Sequence, residues 1–225
     1  MSPPAGLPES ARLRERGAAT WAAAVTHPMV VAIGSGTLPH ETFRFYFEQN
    51  LQYLHEYVRA IALTVAAAPD RSSQSLLARF LGQIVDVEIP ANLAFLTRLG
   101  GSPASLPDPL PTTRGYASHL LTTAREGNMA VALAALLPCQ WSYGEIGQRL
   151  AAGRVPDDPV YADWIAMFSG DGYDGLVRAS TGLLDSWAHA ASPAATAAAF
   201  DGATAYELAF WEMAYTRGAS DGAGS

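Results

Sequence analysis

The chain has no lysine; all 14 of its basic residues are arginines. A Schiff base and a Walker A phosphate loop both need lysine's amine, so both chemistries are excluded. Cysteine occurs once, as Cys139. A single cysteine permits no internal disulfide and fits a reducing compartment. Positive charge is scarce as well: the net charge is −7 and the pI about 5.1. Nucleic-acid binding calls for a basic face, which such a balance lacks. No apolar run reaches the roughly 18 residues of a membrane span, because charges and prolines break the alanine-rich stretches. The first residues lack a basic region followed by an apolar one, so no secretory signal is expected and the expected location is the cytoplasm. Alternating runs of Val, Ile and Thr are missing too, and with them the strands that would carry a nucleophile elbow or a Rossmann site. The five histidines show no zinc spacing, and no Glu-x-x-His pair supports a di-iron bundle. Neither metal nor cofactor is expected.

What remains is a globular composition, 49% apolar and 16% charged over 225 residues, enough for one full core. Apolar residues recur at helical spacing nearly throughout, which predicts an all-α fold. Helices are expected over 9–26, 39–68, 73–99 with a kink at Pro90, 113–126, 129–152, a short one through 161–168, then 172–190 and 193–217. His27, before Pro28, reads as a helix-end residue. The two glycines within 33–39 read as a turn into a helix, with Pro39 in its first turn. The proline-rich stretch 102–111 is a loop inside a single domain spanning 9–217, flanked by flexible tails at 1–8 and 218–225.

Polar groups in apolar stripes mark candidate chemistry. Cys139 lies in an apolar helix just after Pro138, which removes a backbone donor and should bend the chain. Tyr143 follows one turn later on the same face. A buried cysteine usually behaves as a small hydrophobe, but beside a proton partner it can be a nucleophile. Asn50 falls between Phe47 and Leu54, with Tyr53 one turn on. An unpaired buried amide would cost roughly 1–3 kcal/mol, so it either fixes a buried backbone group or faces a ligand. Glu207 sits in the stripe of Phe200, Ala203, Phe210, Trp211 and Ala214, where burial would raise its pKa unless a partner supports the charge. Asp86 and Glu88, two apart, face differently and form no obvious acid–base pair; at least one should be solvated.

The surroundings of these residues resemble a known family. The stretches are Trp21 to Pro28 with Gly36-Thr37-Leu38; Phe43-x-x-Tyr46-x-x-Gln49-Asn50-x-x-Tyr53-Leu54; and Leu137-Pro138-Cys139-x-Trp141-x-Tyr143-x-Glu145-Ile146-Gly147. Tyr161-x-x-Trp164-Ile165 and Glu207-x-x-Phe210-Trp211-x-Met213-Ala214-Tyr215 complete the set in order. Together they resemble the TenA family, the thiaminase II or aminopyrimidine aminohydrolase group, over about residues 10 to 217. The resemblance implies a heme-oxygenase-like helical bundle without heme, usually a homotetramer, that binds a substituted 4-amino-2-methylpyrimidine. It further implies that the thiolate of Cys139 adds to the ring, the exocyclic group leaves as ammonia or thiazole, and water replaces it to give the hydroxymethyl pyrimidine salvaged into thiamin. By the same resemblance Tyr143 tunes Cys139, Glu207 serves as general acid/base and holds the amidine edge, and Tyr53 and Tyr116 line the pocket.

Two positions depart from the family pattern. Asn50 stands where the family usually has Asp, and Phe168 where it usually has Tyr. Asn carries no charge, and charge-assisted bonds are roughly twice as strong as neutral ones. The departures predict a pocket that still takes a flat heteroaromatic ligand, with weakened or shifted hydrolysis. A catalytically weak binding protein on the same scaffold is the competing reading. A PqqC-like oxidase is a third, which Pro138, Cys139 and Tyr143 oppose.

Overall fold

Caps fix where many of the helices start. Asp70, Asn128, Asp158 and Ser192 each accept a hydrogen bond from a backbone N–H two or three residues ahead, satisfying donors that a helix start leaves open. His27 does the same through Nδ1, which accepts from the Met29 N–H at 3.2 Å, with Pro28 in the first helical position. These starts belong to a computed structural model that describes residues 6–222. Its helices are α1 (Glu9–Arg16), α2 (Ala18–Val25), α3 (Pro28–Ser35), α4 (His40–Ala67), α5 (Arg71–Gln83), α6 (Ile89–Arg98), α7 (Pro111–Arg125), α8 (Met129–Ala151), α9 (Pro159–Ser169), α10 (Asp171–Trp187), α11 (Pro193–Tyr215) and α12 (Ala219–Gly222). No strand occurs among the described residues, and no single helix is long and apolar enough to cross a membrane.

The centre of the bundle is α8. Every residue from Met129 to Gln140 is buried, and the helix packs against α2, α4, α7, α9, α10 and α11. A helix apolar all round is the one a bundle encloses. Pro138 sits inside it without ending it; the surrounding packing offsets a cost of about 3 kcal/mol. The Tyr57 hydroxyl donates to the Leu136 carbonyl at 2.9 Å, tying α4 to α8 beside this proline. Close approach to α9 depends on Gly147, where a Cβ would lie 2.6 Å from the Phe168 carbonyl carbon.

Three segments differ from the sequence expectation. The helix expected over 9–26 breaks at Gly17, where the chain bends by 77°. Residues 28–35, assigned no element from the sequence, form α3, which ends at Gly36 in the left-handed region, φ +70°, where glycine meets no Cβ penalty. The kink expected at Pro90 is instead a π-helical turn over Ile84–Glu88 between α5 and α6. Proline offers no N–H to the carbonyl four residues back and its ring collides with it; for Pro90 that residue is Asp86, inside the turn. The expected tails lie partly outside the described residues, at 1–5 and 223–225. Within the second, α12 is tied down: Asp221 accepts from the Thr112 N–H at 2.9 Å and its hydroxyl at 2.7 Å.

Candidate active site

The face of α4 that points inward carries Tyr46, Asn50, Tyr53 and Tyr57, all buried. Their spacing of four, three and four residues keeps them on one helical stripe. Opposite stand Cys139 and Tyr143 of α8, Tyr116 of α7 and Glu207 of α11, buried as well. Glu207 is 3% exposed. The Tyr116 hydroxyl donates to its Oε1 at 2.6 Å, and the Cys139 thiol faces the same carboxyl and supports its charge. The rings of Tyr53 and Tyr116 lie 4.7 Å apart, closing one side. Cys139, Glu207, Tyr53 and Tyr116, expected to share a site, are thus brought together. A surface cleft of about 320 Å³ between α4 and α7 is lined by Gln52, His55, Arg114 and others, outside this cluster.

Electrostatics define what the cluster can do. Burial lifts Glu207 to about 7, against the opposing pull of Tyr116 and Cys139. Burial also pushes the Cys139 thiol well up, and the charges of Glu207 and Glu88 push it further, while Tyr53 and Tyr57 favour its anion. At rest, then, the sulfur keeps its proton beside a carboxyl that ionises near neutrality. Such a pair can pass the proton from sulfur to oxygen as the sulfur attacks. The hydroxyl of Tyr53 is buried and makes no hydrogen bond of ordinary geometry, but it lies near enough to the Cys139 sulfur to favour its anion. Among the described residues no group of three or more His, Cys, Asp or Glu is placed to hold a metal ion.

Three of the expected site residues sit differently from their anticipated roles. The Tyr143 hydroxyl meets that of Tyr46 at 2.9 Å rather than the thiol; helical spacing puts the residue on the right face, but the ring leans toward α4. Asn50 donates from Nδ2 to Asn92 Oδ1 at 2.9 Å, and Asn92 donates to the Glu88 carbonyl at 2.8 Å. Its amide therefore ties α4 to the π-helical turn through a side chain, and reaches a backbone group only by way of Asn92. Phe168 packs edge-on against Tyr143 at 4.9 Å and Tyr173 at 5.2 Å, contributing wall rather than a polar contact.

The structure adds residues that sequence reasoning did not select. Glu88 is buried, and burial followed by the charge of Glu207 raises it to about 7. Its partner in the sequence argument, Asp86, is exposed, as expected for at least one of the two. Tyr46, Tyr57 and Tyr173 complete the ring; each is raised first by burial, and each feels both Glu88 and Cys139. The α4 tyrosines were legible as one stripe with Asn50. Tyr173 and Glu88 carried no local signal.

A family model described as the TENA/THI-4/PQQC family matches residues 14–217. The aminopyrimidine aminohydrolase of Halalkalibacterium halodurans is 34% identical over 212 residues, covering 92% of this chain and 95% of that protein. A solved structure, the TenA homologue from P. horikoshii OT3, superposes with a TM-score of 0.86 at 31% identity, covering 94% of this chain and 100% of that one. A Shewanella denitrificans domain of heme oxygenase-like fold, at 14% identity and a TM-score of 0.67 over 94% of this chain and 96% of its own, shares the fold. With the match running through every helix that builds the cluster, the chain belongs to the TENA/THI-4/PQQC family.

Proposed function

We propose that this protein hydrolyses a substituted aminopyrimidine at its exocyclic methylene, releasing the hydroxymethyl pyrimidine for thiamin salvage, through a covalent adduct on Cys139. The observation that carries the reading is the Cys139 thiol facing Glu207, whose carboxyl ionises near 7 and is held by Tyr116. Glu207 accepts the sulfur's proton as the S–C bond forms on the ring. The C–N bond to the leaving group then breaks, its electron pair departing on nitrogen. Water adds to the methylene and gives up a proton to the released ammonia or, where the leaving group is the thiazole, to solvent. Finally the S–C bond breaks and the sulfur is reprotonated from Glu207. Tyr53, whose hydroxyl supports the Cys139 anion, and Tyr116 flank the flat ring, and Phe168 closes the wall behind Tyr143. The relative named an aminopyrimidine aminohydrolase supports the substrate class. A cytoplasmic homotetramer completes the proposal.

The test is a chromatographic assay for hydroxymethyl pyrimidine, run with the aminomethyl pyrimidine and, separately, with thiamin. Wild type should form product. Cys139→Ala should lose about 10³-fold or more, as expected when a nucleophile is removed. Residual turnover within tenfold of wild type in the variant would remove the adduct from the mechanism. The second reading, a binding protein with poor catalysis, is favoured by the uncharged Asn50, whose Nδ2 is already committed to Asn92. Tight pyrimidine binding without product would select it, and Asn50→Asp should then raise turnover.

A further inference from the structure

Glu88 is a buried carboxyl without a protein partner. It is 6% exposed, and among the described residues no donor hydrogen-bonds to its side chain and no arginine pairs with it. Leaving such a group unpaired is costly, so its placement needs a reason. The π-helical turn directs it: Ile84 and Glu88 point inward while Val85, Asp86 and Val87 are exposed. Single π-turns of this kind are frequent at functional sites. The backbone that bears Glu88 is held through one relay, since Asn92 donates to its carbonyl and is itself held by Asn50 of α4. Glu88 feels the charge of Glu207 of α11, and its own charge bears on Cys139 of α8, Tyr46 and Tyr57 of α4 and Tyr173 of α10. The two carboxyls are not equivalent. Glu207 is engaged by Tyr116 and the thiol; Glu88 is free. The groups acting on either include no cation.

We infer that Glu88 is the leaving-group subsite: its carboxylate takes the positively charged nitrogen carried on the exocyclic methylene of the substrate. The inference rests on the proposed hydrolysis and adds to it the part of the pocket that recognises the amine. The amine enters as an alkylammonium, R–CH2–NH3⁺. Once sulfur has bonded to the ring, the C–N bond breaks, its electron pair leaves on nitrogen and ammonia departs with the three protons it brought. Glu88 keeps the nitrogen in that form, so that NH3 and not NH2⁻ is expelled. A pocket of two carboxyls and no cation also rejects phosphorylated pyrimidines, because a second anion would be left uncompensated.

The test is calorimetric titration in a Cys139→Ala background, where nothing turns over. The ligands are the aminomethyl pyrimidine and the hydroxymethyl pyrimidine, which differ only in the group Glu88 is assigned to hold. Adding Glu88→Gln should weaken the amine about tenfold or more, the range of a lost charged hydrogen bond, and leave the alcohol within about twofold. Glu88→Asp should restore part of the difference. Equal loss for both ligands, or none, would overturn the inference while the hydrolysis reading stands on its own product assay. A wild type that binds neither ligand and forms no product would overturn both. A measurement needing no variant at Glu88 covers a failure to fold: near pH 7 the amine should release protons on binding, read as different heats in two buffers, as its charge ionises the carboxyls. The same heat in both buffers would sink the idea.

Discussion

Glu207 is set between opposing influences of which burial is the larger. Burial raises its pKa, and the short bond from Tyr116 restrains that rise. Tyr116→Phe removes the donor and leaves the ring, so Glu207 should ionise at higher pH. A base must be ionised to act; the acid limb of the kcat/KM profile should therefore move up by roughly one pH unit. A limb that stays in place would mean that Glu207 is not the base. How well each residue could be read in the sequence follows from how local its signal is. Cys139 and Glu207 were legible because each is polar or reactive within an apolar stripe of its own helix. Tyr143 was legible in position but not in hydrogen bonding, since its choice of Tyr46 over the thiol depends on where α4 lies. Glu88 was passed over because it was weighed against Asp86, its sequence neighbour, whereas the group it faces is Glu207, which only the packing of α6 and α11 around α4 brings near.

Helix identity was mostly written in periodicity and caps, and it came through for α4, α7, α8, α9, α10 and α11. The misread places are those where tertiary packing overrides a local rule. Gly17 reads as tolerable within a helix, yet Trp21 must turn inward to stack on Phe200, 5.8 Å away, and donate to Glu145 at 2.9 Å. The π-turn depends on an extra residue accommodated ahead of Pro90, which composition does not reveal. Gly147 illustrates the opposite case, a small residue whose purpose appears only in the fold. A Cβ there would lie 2.6 and 2.8 Å from the Phe168 carbonyl carbon and oxygen, so α9 would have to move away. Gly147→Ala should cost about 1–3 kcal/mol, as overpacking does, seen as a lower urea midpoint with unchanged slope. An unchanged midpoint would show that α8 and α9 can separate freely.

Across the whole molecule, the buried carboxyls make stability run against the usual acid sensitivity. Glu88 and Glu207 rise from 4.5 to about 7 on folding, so between those values the folded state holds more protons than the unfolded one. Stability must then fall as pH rises through this window and is greatest near its acid end. The slope should be roughly 1 kcal/mol per pH unit for each group, visible as a melting temperature that declines from about pH 5 to pH 7.5. Glu88→Gln should flatten the decline and raise stability at pH 7.5; a wild-type curve that rises over this range would contradict it. The all-helical architecture itself was legible because nothing in the chain alternates as a strand does, whereas the closing of α4, α7, α8 and α11 around one reactive cluster is a property of the assembled bundle. That bundle also places Trp211 5.3 Å from the ring of Tyr143 in stacked contact and Trp164 5.0 Å from Phe168. Both indoles are fully buried, and neither N–H has a partner. The protein therefore carries built-in fluorophores against the rings of Tyr143 and Phe168, and the proposed ligand should announce itself in their emission without any label.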